Sequence, residues 1–371
     1  MIAHTIYKPQ LIFWETTKAC PLACKHCRAE AIFEPFPGEL TTEESFKLLD
    51  EIAQFPKPYP VLILTGGDVL MRNDLEPILK RATELGIKTA LSPAVSGRIN
   101  ENLVAMAKRY GVHSVSLSLD WADAEKQDEF RGKRGVFDET KSAIKMFSLA
   151  GIPLQINTTV YEDNVLELPK ILSMISGLGV KVWEIFFLIR IGRGETLMDL
   201  SAEKMEDVNN WLFDVNGTDI AIRTVESPIF KRIELSRGSG QTYIGGKLYK
   251  DLMASTDPKF IRNWIRRQAG HPNGRMRTLF VGHDGSILIN GFIEKPLANV
   301  KDTPLLDICT DNDVLTRLEE PWTFGGKCGY CAFNSVCGGS RARSFSSTGD
   351  LFASDPACNY IPERREREVP V

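Results

Sequence analysis

No apolar stretch in these 371 residues is long enough to cross a bilayer. The most hydrophobic run, Val180 to Ile191, is broken by Lys181, Glu184 and Arg190, well short of the roughly 20 residues a spanning helix needs. The amino terminus has no basic start followed by an apolar core and a small-residue cleavage site, so no secretion signal is expected and the chain is assigned to the cytoplasm. Strong charge of one sign is also missing. The formal net charge is −3, which speaks against a general nucleic-acid binder. Cysteine is absent from residue 28 to residue 308, so the eight cysteines fall at the two ends of the chain. In a reducing compartment disulfides are disfavoured, and such grouping points to metal ligation.

The first group is Cys20, Cys24 and Cys27, just after the strand-like segment Leu11 to Trp14. Three thiolates this close in sequence converge on one centre with little loop entropy to overcome. A cube of four irons held by three cysteines keeps one iron open to a small chelating molecule. The competing reading is structural zinc, which wants four closed ligands, with His26 as the fourth. The second group is Cys328, Cys331 and Cys337, joined by Cys358 after a gap. Four cysteines can close either one iron–sulfur cluster or one zinc site. Cys309 stands alone and reads as a small buried hydrophobe.

Between the groups, short β-rich runs alternate with amphipathic helices. Strands are expected at Val61–Leu64, Thr89–Leu91, Val115–Leu119, Leu154–Val160 and Val182–Leu188, after the first at Leu11–Trp14. Thr41 and Glu44 form a capping box that opens the first helix. Successive strand–helix units require a mostly parallel sheet with right-handed crossovers. Six of them are too few to close an eight-fold barrel, so the fold class is α/β, an open partial (β/α)6 TIM-like barrel. Residues 1–226 would form the barrel, 227–276 a bridging segment and 277–371 a small cysteine-rich domain. That last domain has an expected hairpin turning at Asp284-Gly285. Between 227 and 276 lie a glycine-rich stretch near Arg237 to Gly246, read as a mobile loop, and a run carrying Arg262, Arg266, Arg267, Arg275 and Arg277. The run reads as a solvated face, or as a site for a polycarboxylate.

Function in such folds gathers at the carboxyl ends of the strands. There lie Gly66-Gly67-Asp68, Ser92, Ser118, Asn157 and Arg193. Adjacent glycines admit close backbone approach, and a carboxylate beside them can accept from an ammonium group.

The Cys20-x3-Cys24-x2-Cys27 spacing, with Gly66-Gly67 and the partial barrel, resembles the radical S-adenosylmethionine (SAM) enzymes. The resemblance implies a [4Fe–4S] cluster whose open iron binds SAM, and reductive cleavage of SAM to a 5′-deoxyadenosyl radical that takes hydrogen from substrate. It makes Gly66, Gly67 and Asp68 the counterpart of a Gly-Gly-Glu motif at the SAM amino group, with Asp68 one methylene shorter. Arg131 would pair with the SAM carboxylate, and Ser92, Ser118 and Asn157 would be further SAM contacts. His26 replaces the aromatic residue usual before the last cysteine. The tail from Cys328 to Cys358 resembles the SPASM extension and implies one auxiliary [4Fe–4S] cluster, because the hairpin lacks the cysteine a second would need. ETTKACPLACKHCRAEA and CGYCAFNSVCGGSRARSFSSTGD are most similar to the haem and haem d1 biosynthesis branch. That implies a tetrapyrrole substrate, with Arg193, Arg341 and Arg343 meeting propionates, and ferredoxin or flavodoxin as reductant. The bland reading of Arg341 and Arg343 is that they bond carbonyls in a loop with little core. A peptide substrate is the alternative, although only nineteen residues precede Cys20. A non-catalytic iron–sulfur or zinc scaffold is the other.

Overall fold

A computed structural model describes residues 6–216, 220–261 and 276–363. Seven parallel strands follow one another across the sheet: β1 (Leu11–Glu15), β2 (Val61–Thr65), β3 (Thr89–Leu91), β4 (Ser114–Ser118), β5 (Leu154–Val160), β6 (Val182–Phe187) and β7 (Ala221–Val225). Helices α1 (Thr42–Ile52), α2 (Leu75–Glu84), α3 (Glu101–Arg109), α4 (Ala124–Arg131), α5 (Val136–Leu149), α6 (Leu168–Gly177) and α7 (Ala202–Val215) lie in the crossovers. The capping box of α1 is present, with the Glu44 amide donating to Thr41 Oγ1 and the Thr41 amide to Glu44.

The two faces of the sheet differ for a physical reason. On β5, Leu154, Ile156, Thr158 and Val160 are buried, while Gln155, Asn157 and Thr159 are only half-buried. One face packs on helices and must be apolar; the other lines an open lumen and tolerates polar groups. Trp183 on the packed face donates from Nε1 to Thr158 Oγ1 at 2.8 Å, which satisfies its one polar atom inside the core.

The sheet continues past β1. Strand β8 (Thr278–Val281) pairs parallel to β1 with Leu11 opposite Thr278, and β9 (Ser286–Leu288) folds back antiparallel through the expected Asp284-Gly285 turn. A short β10 (Ala298–Asn299) completes ten strands in the order β10-β9-β8-β1-β2-β3-β4-β5-β6-β7. The carboxy-terminal hairpin thus covers the free edge of β1 and brings the second cysteine group to the barrel. Among the described residues no helix is long and apolar enough to cross a membrane.

The segment after β7 departs from the expected loose bridge. It contains α8 (Ile229–Gly238) and α9 (Lys247–Ser255), both packed on α7. Arg237, assigned to a mobile loop, ends α8 in an ion pair with Asp214 at 2.6 Å. Arg262, Arg266, Arg267 and Arg275 lie outside the described residues, and Arg277 pairs with Glu319.

Candidate metal centre and cofactor site

The loop carrying the first three cysteines follows β1 and rests on three neighbours. The end of β2 is the tightest. A Cβ on Gly66 would stand 2.3 Å from the Thr17 carbonyl oxygen, and one on Gly67 would stand 2.4 Å from that of Ala19. The Gly67 and Asp68 amides donate to those same two oxygens, each at 2.7 Å. What approaches the two glycines from this side is therefore the chain's own cysteine loop. At the second neighbour, the Lys25 amide donates to the Phe130 carbonyl at 2.9 Å, and Gly132 packs on Ala23. At the third, Arg193 donates from Nε to the Cys24 carbonyl and from Nη1 to that of Ala31, both at 2.9 Å. Arg193 was expected to face substrate. It turns inward instead, because a tight loop of inward-facing carbonyls needs donors.

Asp68 is fully buried and accepts from Ser96 Oγ at 2.6 Å and from the Leu70 and Ala94 amides. Burial pushes its carboxyl above the usual range despite those donors. In this structure it ties the β2 turn to the segment after β3.

The thiols are unpaired, with Cys20 and Cys24 buried and Cys27 half-buried. Burial pushes the Cys20 thiol up to about 12, and ligation of a metal would require its thiolate. The Leu22 amide lies 3.4 Å from Cys20 Sγ, and Arg131 Nη1 lies 3.7 Å from Cys24 Sγ, donors suited to thiolate acceptors. Arg131, at the end of α4, is ion-paired with the fully buried Asp120, and its Nε has no partner among the described protein atoms. Burial works against the guanidinium charge, but Asp120 and Cys24 outweigh it and hold the proton on. Three inward thiols with a buried, unspent N–H beside them fit an iron–sulfur cluster and an anionic ligand. His26 instead stacks on Phe130, ring centroids 4.7 Å apart, and burial lowers its pKa to about 4. Among the described residues no group of three or more His, Cys, Asp or Glu side chains could hold a single metal ion.

The second group converges as well. Cys328, Cys331, Cys337 and Cys358 line one cavity with Arg232, Lys327, Gly338, Gly339 and Tyr360. The Phe333 amide lies 3.4 Å from Cys331 Sγ and the Asp355 amide 3.4 Å from Cys328 Sγ, again donors to sulfur. Burial raises Cys337 to about 12. The four thiols fit one closed cluster. Cys309 is buried elsewhere, 1% exposed, with its carbonyl accepting from the Tyr7 amide.

Two substrate assignments are redirected. Arg341 donates to the carbonyls of Leu351, Ala353, Gly338 and Gly339, and lies over the Phe324 ring at 4.6 Å. Arg343 donates to the carbonyls of Leu188 and Glu226 and to Asp199. Both guanidinium groups are spent. A cysteine-rich tail with few apolar side chains holds its turns by such bonds in place of a core. Arg343 also lines a cleft of about 710 Å³ with Leu188, Arg190, Asp199 and Ser346.

In the lumen, Ser118, Asn157 and Glu184 stand in register across β4, β5 and β6. Gln155 Nε2 donates to Asn157 Oδ1 at 2.8 Å and to Glu184 at 2.7 Å. Ser92, half-buried at the end of β3, donates its amide to the Leu64 carbonyl. Sequence reasoning missed Glu184, which it counted only as an interruption of an apolar run. Its alternation with Trp183 and Ile185 was the available signal. Burial raises its pKa, so the folded state holds the proton to higher pH than the unfolded chain does. Stability from this group is then full below the ordinary value of 4.5 and is lost as pH rises through the folded value. Glu184→Gln should raise the melting temperature at pH 8 and leave it nearly unchanged at pH 4, as differential scanning fluorimetry would show.

The profile of the radical SAM superfamily matches residues 14–175. Over 359 residues the sequence is 35% identical to the AdoMet-dependent heme synthase of Oleidesulfovibrio alaskensis, covering 96% of this chain and 88% of that one. The chain belongs to the radical SAM superfamily. This radical SAM enzyme is also 30% identical to the pre-heme d1 synthase of Dinoroseobacter shibae, over 96% of its own length and 87% of that protein. Its fold matches that of SuiB from Streptococcus suis, solved bound to S-adenosylmethionine. The TM-score there is 0.68 and the identity 15%, with 95% of this chain and 78% of that one covered. As a radical SAM enzyme it binds a [4Fe–4S] cluster and SAM and carries out SAM-dependent radical chemistry. The partial-barrel expectation is met, with one strand more than the six expected before the bridge.

Proposed function

We propose that the enzyme acts on a tetrapyrrole, removing carboxylate from propionate side chains in haem-type cofactor synthesis. The observation that supports this reading is identity of 30 to 35% over nearly the whole chain with proteins named heme or pre-heme d1 synthases. More coarsely, the substrate is a small molecule or a peptide.

Cys20, Cys24 and Cys27 would hold the SAM-binding cluster, and Cys328, Cys331, Cys337 and Cys358 an auxiliary one. When bound, the first cluster supplies the electron that cleaves SAM to the 5′-deoxyadenosyl radical. The chain's own part is positioning. Gly66, Gly67 and Arg193 fix the loop that would hold this cluster, and the unspent Nε of Arg131 would be available to the SAM carboxylate. Ser92, Ser118 and Asn157 would bond the remaining polar edges of SAM. Arg341 and Arg343 are engaged internally, and Arg193 has spent its Nε and Nη1 on the cysteine loop and keeps only a buried Nη2 without a partner among the described protein atoms, so the propionate partner is assigned to Arg223, exposed on β7 in register with Glu184. Loss of carbon dioxide after hydrogen abstraction leaves one further electron to be taken from substrate, and a cluster held by Cys328, Cys331, Cys337 and Cys358 would supply an acceptor for it. A ferredoxin or flavodoxin would be the external reductant.

The test is anaerobic incubation of iron-coproporphyrin with enzyme, SAM and dithionite, followed by mass spectrometry. Each converted side chain should lose carbon dioxide and two hydrogens, and Arg223→Gln should weaken porphyrin binding several-fold. Cleavage of SAM with the porphyrin neither bound nor changed would overturn this substrate and favour a peptide.

A further inference from the structure

Arg232 has no role in the reading above, yet it lines the cavity formed by Cys328, Cys331, Cys337 and Cys358. It comes from α8, in the segment between barrel and tail, and is 6% exposed. Its Nη2 pairs with Glu206 of α7, and its guanidinium lies 5.0 Å from the centroid of the Tyr360 ring, two residues after Cys358. Its Nε is buried and has no partner among the described protein atoms. An unmade hydrogen bond on a buried charged group is costly, so such a group is expected to find an acceptor when the site is filled. Lys327 stands on the same cavity, its ammonium bonded to the Cys358 carbonyl.

We infer that Arg232 is a positioning residue for the auxiliary cluster, donating from Nε to one of its sulfurs and raising its reduction potential. The inference rests on the reading that those four cysteines hold a cluster. A cube with four thiolate ligands carries net negative charge, and reduction adds one more. A fixed cation therefore stabilises the reduced form more than the oxidised one, and a hydrogen bond to sulfur acts in the same direction. Glu206 opposes this, since its carboxylate offsets part of the guanidinium charge. The two cluster sites differ in this respect. At the first, Arg131 is matched by the fully buried Asp120. At the second, among the described residues, Arg232 is joined by Lys327 and by Arg341 beside Cys328, while Glu206 pairs with Arg232 and the fully buried Asp355 stands by Cys328, Cys337 and Cys358. Three cations against two carboxylates still favour the reduced form, and Arg232, whose Nε is unspent, is delivered by a helix of the segment between barrel and tail.

The test uses full-length protein with Cys20, Cys24 and Cys27 replaced by alanine, so that a single cluster signal remains. Arg232→Gln, Arg232→Lys and Glu206→Gln are added one at a time. Iron is counted, and the reduced cluster is titrated against potential by electron paramagnetic resonance. Arg232→Gln should keep its iron and become at least tenfold harder to reduce, about 59 mV for one electron. Arg232→Lys, which keeps the charge, should shift less. Glu206→Gln should shift the opposite way, an outcome that a merely structural role for the pair does not give, since loosening the site from either end would move the potential alike. Equal potentials in all variants, or shifts of one sign for Arg232→Gln and Glu206→Gln, overturn the inference while leaving the cluster in place. Absence of iron from the parent triple variant removes the auxiliary cluster itself, and the inference with it.

Discussion

Alanine at any one of Cys20, Cys24 or Cys27 is expected to abolish release of 5′-deoxyadenosine from SAM in the presence of dithionite. The loop would survive the change, because its shape is held by backbone. Gly67 and Asp68 amides bond Thr17 and Ala19, and Arg193 bonds the carbonyls of Cys24 and Ala31. What would be lost is one of the three ligands proposed for the SAM-binding cluster, without which SAM cleavage would have no electron source. Cys337→Ala should behave differently: SAM cleavage persists, and product formation stops for want of an electron acceptor. The measurement is chromatographic quantitation of 5′-deoxyadenosine from anaerobic reactions. Undiminished release from a variant of the first triplet would remove those cysteines from the chemistry.

Arg131→Leu should destabilise the protein by about 3–5 kcal/mol, the range for stranding one member of a buried ion pair. Asp120 is fully buried, and its other oxygen already accepts from the Thr159 amide, so it cannot turn to water. Adding Asp120→Asn should recover much of the loss, since the pair is then replaced rather than broken. SAM binding should fall in both variants, because each lacks the Nε donor. Denaturation midpoints of the single and double variants check the first statement, and calorimetry with SAM the second. A single variant as stable as the parent would show that the pair carries no such weight.

The strand order and both cysteine groups were legible because their signals are local. Hydrophobic alternation marks a strand such as Leu154–Val160, which the structure reproduces to the residue. Helix α4 was not foreseen: Ala124–Arg131 is nearly all polar, and only Gln127, Phe130 and Arg131 are buried. Its amphipathic signal is correspondingly faint, although it delivers Arg131 to Cys24. Strand β7 was missed because two of its five residues are exposed and its partner is 39 residues earlier, a pairing no short window contains. The fates of the arginines were equally invisible. Whether Arg193, Arg341 or Arg343 meets a substrate or a carbonyl depends on which backbone oxygens the fold turns towards it, and sequence spacing carries no record of that. Arg232 shows the converse, a side chain placed on the auxiliary cysteines from about a hundred residues away by the docking of α8.

The most direct test of the two-cluster reading is an iron and acid-labile sulfide count of anaerobically reconstituted protein, before and after replacing Cys20, Cys24 and Cys27 together by alanine. Two cubanes predict about eight irons for the wild type and about four for the triple variant. Stoichiometric zinc with little iron in the wild type would contradict it.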